Sequence, residues 1–176
     1  MIRRILAAAE EGDSVGGVTE TVIFGLPAGL GEPWFDSMES ELSHMMFSIG
    51  AVKGIEFGCG FEMADGLGSR YNDALRYNRK REVYSITNNN GGINGGITNG
   101  MPVIFRLGVK PTPSIAQTQK TIDFVNKKSI ETEIKGRHDP AIVRRICPVI
   151  SSAAAIVIAD SLACRYGTDV LKNGFK

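Results

Sequence analysis

Met101-Pro102-Val103-Ile104-Phe105-Arg106-Leu107-Gly108-Val109-Lys110-Pro111-Thr112-Pro113-Ser114 is a run of β-formers that stops on two prolines. Val, Ile and Phe suit a pleated, half-buried surface, so residues 101–109 read as a strand. Pro111 and Pro113 fix φ and remove two backbone donors just beyond it. Downstream, Ser129-Ile130-Glu131-Thr132-Glu133-Ile134 alternates within residues 120–134, which read as a strand pair. Gly136-Arg137-His138-Asp139-Pro140 breaks that pattern, and residues 149–166 read as a long apolar helix. Upstream, residues 15–26 carry Val18, Val22, Ile23 and Phe24 among β-formers and end near Pro27. Phe35, Met38, Leu42, Met45, Met46 and Ile49 then recur at steps of three and four, the signature of an amphipathic helix with Pro33 near its first turn and Gly50 just past its last. Residues 52–61 return to strand chemistry.

These elements predict an α+β fold, an antiparallel β-sheet with both helices packed on one side of it. No repeat or linker divides the chain, so residues 1–176 are expected to form one domain. Residues 63–81 read as a surface excursion without regular structure, a candidate lid or contact loop. Thr87-Asn88-Asn89-Asn90-Gly91-Gly92-Ile93-Asn94-Gly95-Gly96 favours neither helix nor strand.

The 176 residues are 43% hydrophobic and 22% charged, ordinary globular values that argue against extensive disorder. A formal charge of +1 supplies no general pull toward nucleic acid or anionic membrane, so anion recognition has to be local. Arg76, Arg79, Lys80 and Arg81 read as a solvated basic run. Cys59, Cys147 and Cys164 match no zinc or redox spacing and read as reduced packing residues of a cytoplasmic protein. Residues 1–9 run straight into Glu10, Glu11 and Asp13 without the apolar stretch of a signal peptide. The apolar segment 146–159 reads as a buried helix, too short to span a bilayer. With two histidines in the chain, neither a zinc site nor a Ser-His-Asp triad is supported.

Three loops could carry chemistry. Successive glycine amides in residues 91–96 could form an anion nest or simply turn the chain. Lys110, Thr112 and Ser114 stand on a stiff loop that either presents donors to a ligand at little entropic cost or merely connects two elements. Arg137, His138 and Asp139 sit between Gly136 and Pro140. There Arg137 could fork an anion and Asp139 could accept a proton, or Asp139 could be half of an Arg–Asp pair at a helix start.

Taken in order, these pieces resemble the chorismate synthase family. The likeness runs through Gly12-Asp13-Ser14-Val15-Gly16-Gly17, Gly29-Leu30-Gly31-Glu32-Pro33, Ser48-Ile49, Ala51-Val52-Lys53-Gly54-Ile55-Glu56-Phe57-Gly58, Gly60-Phe61, Thr87-Asn88, Gly91-Gly92-Ile93 and Gly95-Gly96. The Lys-Pro-Thr-Pro-Ser and Gly-Arg-His-Asp-Pro segments complete it.

The resemblance implies half of a β-α-β sandwich and a cytoplasmic lyase. That enzyme converts 5-enolpyruvylshikimate 3-phosphate to chorismate with reduced FMN, in aromatic amino acid biosynthesis. It implies FMN contacts at His44, Met45, Gly95, Lys110, Pro111, Thr112, Pro113, Ser114 and Arg137, with Asp139 as the catalytic acidic residue. Met45 stands where the family has a small residue. Members are homotetramers of roughly twice this length, so the chain is expected to correspond to their C-terminal half and to need a separate N-terminal half. The alternative is a non-catalytic flavin-binding remnant.

Overall fold

The computed structural model describes residues 1–169 and residue 172. Its elements run α1 (Ile2–Glu10), β1 (Gly17–Ile23), α2 (Met38–Phe47), β2 (Val52–Phe57), α3 (Gly68–Tyr71), β3 (Leu75–Tyr77), β4 (Val83–Ser85), β5 (Ile93–Asn94), β6 (Ile97–Thr98), β7 (Val103–Val109), β8 (Gln119–Asp123), β9 (Lys128–Thr132) and α4 (Val143–Tyr166).

β7 is central in a three-stranded antiparallel sheet of order β1-β7-β2. Its side chains alternate faces. Val103, Phe105, Leu107 and Val109 are buried, each stabilising the fold by about 1.5–3 kcal/mol relative to exposure. On the other face Arg106 lies opposite Glu20 and Glu56, 3.2 Å from Glu56 and 3.9 Å from Glu20. These pairs are partly exposed and contribute at most about 1 kcal/mol each.

Both helices cover the buried face, as the sequence predicts. Met38, Leu42 and Met46 recur every fourth residue along α2, and Ile146, Ile150, Ala153, Ala154, Val157 and Ile158 form one stripe along α4. Together with Leu30, Val52 and Ile93 they make a single core cluster.

Several boundaries differ from expectation. α2 begins at Met38, because the Ser37 side chain accepts the Ser40 N–H and caps the helix, while Trp34–Asp36 forms a separate 3-10 turn after Pro33. α4 begins at Val143, ahead of residue 149, and carries Pro148 within it. Its 24 residues span about 36 Å, so by length and composition it could cross a membrane. The expectation of a segment too short to do so is therefore corrected. One stripe of α4 is buried in the core cluster, while Val149 and Ile156 on its other side are exposed. α1 was not foreseen in the reading of residues 1–9.

Residues 63–81 are not structureless. They hold the end of a 3-10 turn (Gly60–Asp65), α3 and most of a β3–β4 hairpin, whose tip is closed by Asn78 and Glu82. Residues 87–96 include β5, which pairs with β6. The cysteines are free thiols, but Cys147 and Cys164 are exposed and do not pack as expected.

Candidate functional site

The loop after β7 is held at both ends. The Lys110 N–H donates to Ala51 O, just past α2, over 2.9 Å, and the Ser14 hydroxyl donates to Thr112 O at 2.6 Å. Gly16 makes this packing possible, because a Cβ there would collide with Val109 O and press on the Pro111 ring. The Thr112 Oγ1 is buried without a hydrogen-bond partner, an arrangement that carries a cost unless a ligand satisfies it.

The turn at residues 136–140 is drawn to that loop. Ser114 Oγ lies 3.1 Å from His138 Nδ1, and Val15 N–H donates to Pro140 O at 2.8 Å. His138 Nε2 is 2.8 Å from Ile134 O. A carbonyl only accepts, so Nε2 carries the proton there, and in the neutral ring Nδ1 accepts from the Ser114 hydroxyl. His138 thus pins one loop to the other. In the sequence the one signal for this role is its position between Arg137 and Asp139.

Asp139 Oδ2 accepts from Arg145 Nη1 at 2.8 Å, which matches the pairing alternative at a helix start. Arg137, His138, Asp139, Pro140 and Arg145 line a cleft of about 610 Å³. Among the described residues, Lys110 and Arg137 have no ion-pair partner. Two unpaired cations and an orphaned hydroxyl on rigid turns suit an anionic ligand such as a phosphate ester.

The other expected contacts lie elsewhere. His44 is exposed, and with Met45 it lines a groove between α2 and α4 that also includes Ile156, Val157 and Asp160. Gly95 sits at the exposed β5–β6 turn with φ +59°. The next residue's carbonyl, Gly96 O, accepts from the Met38 N–H at the start of α2. Lys110 is bound at the far end of α2, about 15 Å along the helix. The structure therefore brings residues 110–114 and 137–139 together and leaves Gly95 at the opposite end of the sheet.

The chorismate synthase family model matches residues 1–163. The chain belongs to the chorismate synthase family. A chorismate synthase from Methanobrevibacter smithii is 47% identical over 158 residues, 90% of this chain and 43% of that protein. One from Methanosarcina barkeri is 46% identical over 175 residues, 99% of this chain and 46% of its own length. A crystal structure of chorismate synthase superposes with a TM-score of 0.77 at 31% identity, covering 97% of this chain and 44% of that one. The chain thus spans less than half the length of the chorismate synthases it matches, and their fold over that length is the α+β arrangement described above.

Proposed function

We propose that this chain supplies the flavin-side half of a chorismate synthase active site, with residues from the remaining length of its relatives completing it. The supporting observation is the Ser114–His138 contact, which joins the turn that follows Lys110 to the turn whose Arg137 lines the cleft. In this reading Lys110, Thr112, Ser114 and Arg137 hold FMN with Pro111 and Pro113 stiffening the loop, while His44, Met45 and Gly95 contribute from their separate positions. The substrate is 5-enolpyruvylshikimate 3-phosphate, the setting is the cytoplasmic shikimate pathway, and the assembly is a homotetramer.

When bound, reduced FMN supplies electron density to the elimination without net redox change. The chain's own work is electrostatic and protonic. Lys110 and Arg137, carried on the two tied turns, stabilise negative charge on the departing phosphate, and Asp139 assists removal of the C6 proton. The Asp139–Arg145 bond favours a second reading, in which Asp139 is structural and the chain binds flavin without catalysis.

The test mixes the purified chain, reduced FMN and substrate with the remaining part of the Methanosarcina barkeri enzyme as a separate polypeptide. Chorismate should appear only in the mixture, and Arg137→Ala should weaken FMN binding by roughly tenfold or more. Turnover by the chain alone, or FMN binding indifferent to Arg137→Ala, overturns the assignment; a mixture that binds FMN without turnover selects the second reading.

A further inference from the structure

Residues 59–90 contain no buried residue, and Phe61, Leu67, Leu75, Tyr77 and Ile86 are exposed. Apolar burial, the dominant favourable term in folding, is therefore missing from the arm that carries α3 and the β3–β4 hairpin. Something polar has to hold it. Asp73 does so from within the arm. Its Oδ1 accepts from the Thr87 hydroxyl and the Asn89 N–H, each at 2.8 Å. Its Oδ2 accepts from the Asn90 N–H at 2.9 Å and from the Asn90 side chain at 2.7 Å.

Those four bonds shape the glycine segment. Asn88, between the anchored residues, accepts the Gly92 N–H and donates to Pro102 O, each at 2.8 Å. Gly91 O accepts from the Ile104 N–H at 3.1 Å, which passes the placement into β7. Two further links are Cys59, whose N–H donates to Asn89 O at 2.8 Å, and Ser85, whose N–H donates to Met101 Sδ at 3.2 Å.

We propose that Asp73 is a positioning residue, its ionised carboxylate being the template on which residues 87–92 fold and the tie that keeps the arm on the sheet. The donors facing it are all neutral. Of the ionisable groups nearby, Arg70 and Tyr71 bond Glu62, Cys59 bonds Asn89 and Arg106 pairs with Glu56. Hydrogen bonds to a charged acceptor are roughly twice as strong as neutral ones, so the template works only while Asp73 is ionised. Partial burial pushes its carboxyl upward, but the Asn90 and Asn89 N–H groups, with the Thr87 and Asn90 side chains, outweigh it and hold the carboxyl below the usual range. A depressed folded-state value means that this stability is complete above the unfolded-chain value and disappears as pH falls through the folded one.

Amide exchange on the full chain tests the proposal without reference to flavin. In Asp73→Asn, protection at Ile86, Asn89 and Asn90 should fall roughly tenfold to a hundredfold, while Phe105 and Leu107 keep theirs. In the wild type the same protection should drop as acid titrates the carboxylate, followed directly by the Asp73 carboxyl carbon shift in NMR, and Asp73→Asn should lack that step. Unchanged protection in Asp73→Asn, equal loss across β7, or a wild-type arm indifferent to titration of Asp73 each overturns it. If Asp73→Asn does not fold, the wild-type acid series alone decides.

Discussion

Asp139 shows how one side chain supports two accounts. Its bond to Arg145 joins a carboxylate with 34% side-chain exposure to a guanidinium with 80%, and an ion pair so open to water contributes at most about 1 kcal/mol. Asp139→Asn should therefore cost the fold less than about 1 kcal/mol by urea denaturation. If Asp139 moves the proton, the same change lowers kcat of the reconstituted enzyme by roughly 10²–10⁴-fold and leaves FMN affinity nearly as it was. A loss of stability above that bound, with kcat preserved, would assign it to the start of α4 instead. The identity of such residues is legible in a sequence because Gly136 and Pro140 bracket them. Their partners are not, since the Ser114–His138 contact joins residues 24 apart across the β8–β9 hairpin, and the alternation that marks its strands says nothing of which side chains meet beyond them.

Elements were legible where apolar residues recur with a period, buried in β7 and α2 and exposed in β8–β9, and illegible where polar bonds alone hold the chain. β7 and the buried stripe of α2 announce themselves through period, because alternate or every fourth residue reaches the core. The arm at residues 59–90 has no such residue, so its short helix and hairpin could not be read from apolar spacing. The start of α2 differs for another reason: Pro33 is the start signal named in the sequence, but Ser37 with Glu39 and Glu41 in the first turn is the helix-start chemistry the structure uses. The Ser40 N–H donates to Ser37 Oγ at 3.1 Å, so Ser37→Ala should destabilise the chain by about 1 kcal/mol and Ser37→Gly by only a few tenths. A wild-type midpoint for Ser37→Ala in chemical denaturation would show that the cap contributes nothing. The start of α4 differs the other way, at Val143 and ahead of residue 149, with Pro148 inside the helix. A proline within α4 removes one backbone donor, yet the helix continues through it because Ile146 and Ile150 on either side are buried against the sheet.

At the scale of the molecule, the core carries two hairpins without cores of their own, at opposite ends of β7. One is the Asp73-anchored arm near the N-terminal end of the strand; the other is β8–β9, which follows its C-terminal end and exposes Ile122, Phe124, Val125 and Ile130. Segments with few buried apolar contacts open at low free energy, so trypsin should cut at Arg70, Arg76, Arg79, Lys80 or Arg81 and at Lys127, Lys128 or Lys135 before it reaches Arg106, which is paired within the sheet. Flavin should separate the two ends. The cleft at Arg137 and Asp139 belongs to the β8–β9 side, tied there by His138 bonding Ile134 O. With the complementary part of the enzyme present, reduced FMN should slow cleavage at Lys127, Lys128 and Lys135 several-fold, by linkage to the bound state, and leave the arm sites unchanged. Time-resolved mass spectrometry of the digest reads both rates in one sample. Protection confined to the arm sites would remove Lys110 and Arg137 from the flavin contacts and leave Gly95 among them.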